Sequence, residues 1–168
     1  PTPRLTTTTS SCGWCGSDAI EDVAARLTPL ADPLAFDVDV LASAPQVVRG
    51  TQELVDATGG VHAAAAIELD GTVRLVREDI GRHNAVDKVV GRLLLDGQLP
   101  ARELALFVSG RTSFEIVQKA WAAGFSAIVA VSAPSSLAID AAQRAGIVLA
   151  GFARPGRLNV YVDPAATS

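Results

Sequence analysis

The chain has 168 residues, yet it contains no methionine, one tyrosine and only two cysteines. It also lacks any apolar run near the roughly 18 residues that a membrane-spanning helix needs. The segment from Pro1 to Ser11 is polar and has no apolar core of a signal peptide, so a cytoplasmic protein with no membrane partner is expected. Without a methionine, the chain reads as a fragment of a longer protein. Basic residues are few: twelve Arg and two Lys against 18 acidic residues give a net charge of −4, which argues against a nucleic-acid partner. Cysteine is too scarce for a disulfide scaffold, and a chain of this length needs none to hold a core.

What is present fits one globular α/β domain. Hydrophobic residues make up 49% and charged residues 19%. Residues 1–17 read as an N-terminal loop carrying the cysteines, and residues 18–168 as the folded domain. Asp18 with Glu21 suggests a capping box for a helix ending near Leu27, and a second helix is expected from Pro45 to Ala57. Asp70-Gly71 separates two alternating runs, Ala63 to Leu69 and Thr72 to Arg77, as a hairpin. A helix should run from Asn84 to Leu95, where Val86, Val89, Val90, Leu93 and Leu94 recur at helical spacing. Leu104 to Val108, Ala127 to Val131, Ile147 to Phe152 and Asn159 to Val162 read as strands. Between them lie helices capped by Thr112 and by Ser135 or Ser136, stopped at Gly124 and Gly146. This order predicts a three-layer α/β/α sandwich around a mixed sheet.

Ligands of such sheets gather at the carboxyl ends of the strands. Those ends carry Ser109 to Thr112, Ser132 to Ser135 and Phe152 to Pro155. Arg111 lies at a strand-to-helix turn, where free backbone N–H groups suit an anion and an ordinary capping turn suits Thr112 and Ser113 equally. Arg77, Glu78, Asp79, Arg82, His83, Asp87 and Lys88 form a dense charged stretch that reads as a solvated helix start with internal ion pairs.

Cys12 and Cys15 stand three apart in Ser11-Cys12-Gly13-Trp14-Cys15-Gly16, before the expected first helix. A disulfide closing so short a loop adds little stability, so redox, sulfur or metal chemistry is the expected use. A helix N-terminus favours the thiolate. Zinc is the rival: Cys12, Cys15, His62 and His83 could supply four ligands. The element order resembles the nucleoside deaminases, which place His-x-Glu after the hairpin and Pro-Cys-x-x-Cys at the next helix. Here those places read His83-Asn84-Ala85 and Ser109 to Phe114, without the Glu or the cysteines. A deaminase-like scaffold with no zinc is therefore expected.

Six stretches, SSCGWCG, TGGVHAAA, REDIGRHNAVDKVVG, SGRTSFEIVQKA, SAPSSLAIDAA and GFARPGRLNVY, cover Ser10 to Tyr161 in one order. Together they resemble the formate dehydrogenase accessory sulfurtransferases, the FdhD family. The resemblance implies a cytidine-deaminase-like fold, a homodimer, and a further N-terminal β-rich domain absent from this sequence. It also implies a sulfur carrier. A cysteine desulfurase would load sulfur on the loop as a persulfide. The loop would pass it to the molybdenum (or tungsten) bis-guanine dinucleotide cofactor destined for formate dehydrogenase. Cys12 matches the family's carrier, Cys15 is its companion, and Phe152, Ala153, Arg154, Pro155, Gly156 and Arg157 match the cofactor-binding stretch. Trp14 departs from the smaller residues usual inside the loop. The residues themselves agree in part: a loop thiolate can take the outer sulfur of a persulfide, and Arg154 and Arg157, with Arg111 and Ser132, suit phosphates. Phe152 offers either a face to a base or the core end of a strand. A cofactor chaperone whose loop only docks partners, and a zinc hydrolase, are the alternatives.

Overall fold

The computed structural model describes residues 21, 25–30, 34, 36–52, 54 and 59–167. The expected first helix falls mostly on residues outside these, and so do Cys12 and Cys15. Helix α1 spans Val38–Arg49, earlier than the expected Pro45 to Ala57. Its start is set by Asp37, whose carboxylate accepts from the Asp39 N–H at 2.8 Å. Pro45 lies inside the helix and removes one rung, a loss of roughly 3 kcal/mol. Leu41, Ala44 and Val48 on the inner face are all buried. At about 1.5–3 kcal/mol for each large side chain, their burial outweighs that loss.

Six strands form one sheet in the order β2-β1-β3-β4-β5-β6. They span His62–Glu68 (β1), Val73–Asp79 (β2), Leu104–Val108 (β3), Ala127–Ala130 (β4), Val148–Arg154 (β5) and Arg157–Val162 (β6). The hairpin at Asp70-Gly71 joins β1 to β2 as expected. Strands β3, β4 and β5 are parallel, while β1 runs antiparallel to β3 and β6 antiparallel to β5. Helices α2 (Arg82–Leu95), α3 (Phe114–Ala123) and α4 (Ser136–Ala145) connect them.

The period of two in the strands sorts the core into two layers. Ala64, Ala66, Leu106, Val108, Ile128 and Leu149 face one way, with Val86 and Val89 of α2, Ile116, Val117, Ala120 and Trp121 of α3, and Ala138 and Ala142 of α4. Ala63, Ala65, Ile67, Ala105, Phe107, Val129 and Ala150 face the other, with Leu41, Ala44 and Val48 of α1. The sandwich therefore has three layers, as the element order predicts. The central strands are buried on both faces, which is why β3 and β4 read as unbroken apolar runs.

Candidate functional site at the strand ends

The topology gathers polar groups along one edge. Parallel pairing puts the ends of β3, β4 and β5 side by side. Antiparallel pairing of Ala64 with Val108 adds the start of β1, and pairing of His62 with Asp79 adds the end of β2. Helices α2 and α3 both begin there, so the amino ends of both helices face this edge.

The loops are tied together by backbone. Thr112 bridges to Pro134: its N–H donates to Ala133 O at 3.3 Å, and its carbonyl accepts from Ser135 at 3.0 Å. Thr112 is thus used in joining the loops, and Ser113 takes the N-cap position expected of it. The N–H of Phe152 donates to Ser132 O at 3.3 Å. A side chain on Gly151 would lie 2.9 Å from that same carbonyl oxygen, so the close approach needs glycine. Phe152 itself has φ 52°, a left-handed conformation that costs a non-glycine residue about 1–2 kcal/mol. Phe152 as a residue is 42% exposed, which removes its core-end reading.

The structure brings the expected cofactor stretch to this edge. Strand β5 continues through Gly151, Phe152, Ala153 and Arg154 beyond Ala150, the last residue paired with β4. Ala153 is buried; Arg154 pairs with Arg157 across the exposed Pro155-Gly156 turn. Arg154 Nη1 donates to Val131 O at 2.8 Å and to Ala153 O at 2.7 Å, folding the guanidinium back over the end of β4. Arg111 is exposed and Ser132 half-buried in the neighbouring loops.

A second group at this edge holds the two histidines that the sequence offered only as possible zinc ligands. His83, on the first turn of α2, has Nε2 2.9 Å from Ser113 Oγ and 3.9 Å from Glu115 Oε2. Burial lowers its pKa, the Arg82 charge lowers it further, and Glu115 opposes both. His62 Nδ1 lies 3.3 Å from Ser109 Oγ, which accepts from the Ala63 N–H at 2.9 Å. A side chain on Gly110 would meet His62 Cε1 at 3.3 Å and Arg82 Cδ at 3.4 Å. Two polar atoms are buried there without a hydrogen-bond partner, Arg82 Nε and Thr112 Oγ1. Buried polar atoms left unpaired are rare in folded proteins.

The charged stretch does contain the expected ion pairs. Lys88 lies 2.6 Å from Asp79, whose Oδ1 accepts from the Gly81 N–H and Asn84 Nδ2. Lys88, then Gly81 and Asn84, lower the Asp79 pKa to about 2. A concavity of about 880 Å³ lies along β2, away from the converging loops. Of its three cations, Lys88 and Arg92 are paired with Asp79 and Asp96, and Arg77 donates to the Val76 carbonyl at 2.7 Å.

Among the described residues, no helix is long and apolar enough to cross a membrane, and no three His, Cys, Asp or Glu side chains cluster as metal ligands.

Residues 2–167 match the FdhD/NarQ family. The chain is 52% identical to the sulfur carrier protein FdhD of Nocardia farcinica over 160 residues, covering 94% of this chain and 57% of the relative. It is 47% identical to that of Mycobacterium tuberculosis, covering 92% and 56%, and 46% identical to that of Thermoplasma acidophilum, covering 92% and 55%. It spans somewhat over half the length of these curated relatives. A crystal structure from Desulfotalea psychrophila, assigned as a formate dehydrogenase accessory protein, superposes with a TM-score of 0.75 at 31% identity. That match covers 86% of this chain and 61% of the other. By sequence and by fold, the chain belongs to the FdhD/NarQ family.

Proposed function

We propose that this chain is the sulfur-carrying and nucleotide-binding part of a formate dehydrogenase accessory protein. Cys12 accepts sulfur from a cysteine desulfurase as a persulfide and, with Cys15, passes it to the molybdenum or tungsten bis-guanine dinucleotide cofactor, which is cargo. The protein works as a homodimer and holds no catalytic zinc. The observation that carries the nucleotide half is the convergence of the strand-end loops. There the exposed, left-handed Phe152 stands beside Arg154 and Arg157 at the sheet edge that Arg111 and Ser132 share. An aromatic face with guanidinium groups nearby suits a purine and its phosphates, since such charge-assisted bonds are the strong ones. The sulfur half is supported by the spacing of Cys12 and Cys15 and by the names of the relatives.

The chemistry asked of the loop is thiol exchange. A thiolate attacks the outer sulfur of a donor persulfide, the donor sulfur leaves as a thiolate, and no net oxidation occurs. Incubating the chain with a desulfurase and cysteine should add the mass of one sulfur atom, located on Cys12. Cys12→Ala should not load, whereas Cys15→Ala should load and transfer poorly. Loading on Cys15 in the Cys12→Ala variant would reverse the assignment. No loading of the wild type, with nucleotide binding intact, would favour the chaperone reading. Elemental analysis of untagged protein should give far less than one zinc per chain; a full equivalent, lost in His83→Ala, would favour a hydrolase.

A further inference from the structure

We infer that Arg82, His83 and Ser113, where α2 and α3 begin, form a site for a phosphate-class oxyanion. The site lies beside the stretch from Phe152 to Arg157 and does not depend on what that stretch binds. Three elements build it. Arg82 and His83 open α2, and Ser113 stands at the N-cap of α3. The Arg82 side chain reaches across to the end of β3: a Cβ on Gly110 would lie 3.4 Å from its Cδ. His83 Nε2 lies 2.9 Å from Ser113 Oγ, which ties α2 to α3.

Three departures from ordinary folding chemistry meet here, and an anion answers each. A helix amino end carries partial positive charge and favours acidic side chains. The first turn of α2 has no acidic residue and begins instead with Arg82 and His83. Serine is among the best N-cap residues, yet Ser113 makes no side-chain cap bond, and neither does Gly81 on α2. Arg82 Nε and Thr112 Oγ1 are buried with no hydrogen-bond partner among the described residues. Thr112 is 1% exposed and directly precedes Ser113. Leaving a charged donor buried and unpaired is more costly than leaving a neutral one.

The carboxylates nearby are turned elsewhere. Asp79 holds Lys88, and its Oδ1 accepts from the Gly81 N–H and Asn84 Nδ2. Glu115 Oε2 faces His83 Nε2 at 3.9 Å, beyond hydrogen-bond reach. Among the described residues, Arg82 joins no ion pair. The planar guanidinium suits an oxyanion, which supplies an acceptor for Nε. With Nε2 protonated, His83 donates to Ser113 Oγ and leaves the Ser113 hydrogen to donate to the same anion. The His83 side chain is 37% exposed and Arg111 is exposed beside it, so the place is open to solvent.

Two sources share this chemistry: free inorganic phosphate, and the terminal phosphate of a nucleotide whose base lies at Phe152. Strand β5 is two places from β3 in the sheet, about 10 Å at the usual strand spacing. The two places are therefore separate, and one nucleotide can bridge them.

The test titrates the chain with inorganic phosphate at constant ionic strength, read by calorimetry and by melting temperature. Wild type should bind saturably and melt higher as phosphate is added. Arg82→Gln should bind about ten- to a hundredfold more weakly, the range for one charged hydrogen bond. It should also lose the phosphate-dependent rise in melting temperature. Arg82→Lys keeps the charge without the Nε donor and should fall between the two; it decides the matter if Arg82→Gln does not fold. Ser113→Ala should weaken binding less than Arg82→Gln. Arg144→Gln removes an exposed cation from the last turn of α4 and should change nothing. Guanosine diphosphate separates the sources. If it displaces phosphate and binds more weakly to Arg82→Gln, the site takes the nucleotide's phosphate; if both bind together, it takes the free ion. Absence of phosphate binding to wild type, binding that survives both Arg82→Gln and Ser113→Ala, or an equal loss in Arg144→Gln would overturn the site. Phosphate binding without any binding of guanosine diphosphate would support the site and count against the nucleotide reading above.

Discussion

The interior of the sheet and the edge where its strands end are built from the same elements and obey different rules. In the interior, strand alternation meets helix periodicity on both faces, and the side chains of β3 and β4 are all buried and apolar. At the edge, the chain tolerates what the interior excludes: a left-handed phenylalanine, two buried polar atoms without partners, an uncapping serine and a half-buried histidine. Such departures persist only where the surroundings hold them in place, and they collect at functional sites. The contrast places stability in the layers, and the proposed chemistry falls at the strand ends.

The largest effect expected from breaking this division is in the interior. Phe125 is fully buried between α3 and β4, and Phe125→Ala should cost about 3–5 kcal/mol by transfer and cavity formation. Denaturant unfolding measures it. A loss under about 1 kcal/mol would mean that the core relaxes far more than its packing suggests.

At the edge the expected effect moves from stability to binding. Arg157→Ala should weaken guanine nucleotide binding by roughly 1.5–3 kcal/mol, the range for a charged hydrogen bond. It should leave the unfolding midpoint nearly unchanged. Arg154→Ala should weaken binding too, but it also removes the donor to Val131 O and Ala153 O, so some stability should go with it. If Arg157→Ala proves the more destabilising of the two, the division between edge and interior fails at this hairpin.

The smallest effect concerns the turn before α2. Asp79 has a folded pKa of about 2, below its ordinary 3.8. Its contribution is therefore present above about pH 4 and is lost as pH falls toward 2. Asp79→Asn should flatten that part of the acid limb of the melting temperature and change little at neutral pH. An unchanged acid limb would remove Asp79 as the group that fixes this turn.

The interior was the more legible region because its signals are local. Asp70-Gly71 marked the hairpin, Gly124 and Gly146 marked helix stops, and Leu104 to Val108 was bounded as read. Asp37 was missed as the start of α1 because Pro45 resembles a first-turn proline, and only the tertiary burial of Leu41 and Ala44 shows otherwise. Thr112 was mistaken for the cap because its real task, joining Pro134, is a contact across the sheet. The pairing of His83 with Ser113 spans thirty residues and exists only because β1 enters antiparallel beside β3. No local pattern carries it. The cysteine pair is the reverse case, conspicuous in sequence and outside the described residues.

The central claim, that the strand-end edge is a guanine nucleotide site, is tested most directly by calorimetric titration of the chain with guanosine diphosphate and adenosine diphosphate. The account predicts saturable binding of guanosine diphosphate, weaker binding of adenosine diphosphate, and loss of that preference when Phe152 and Arg157 are both replaced by alanine. Equal affinity for the two nucleotides, or a preference that survives the double substitution, would contradict it.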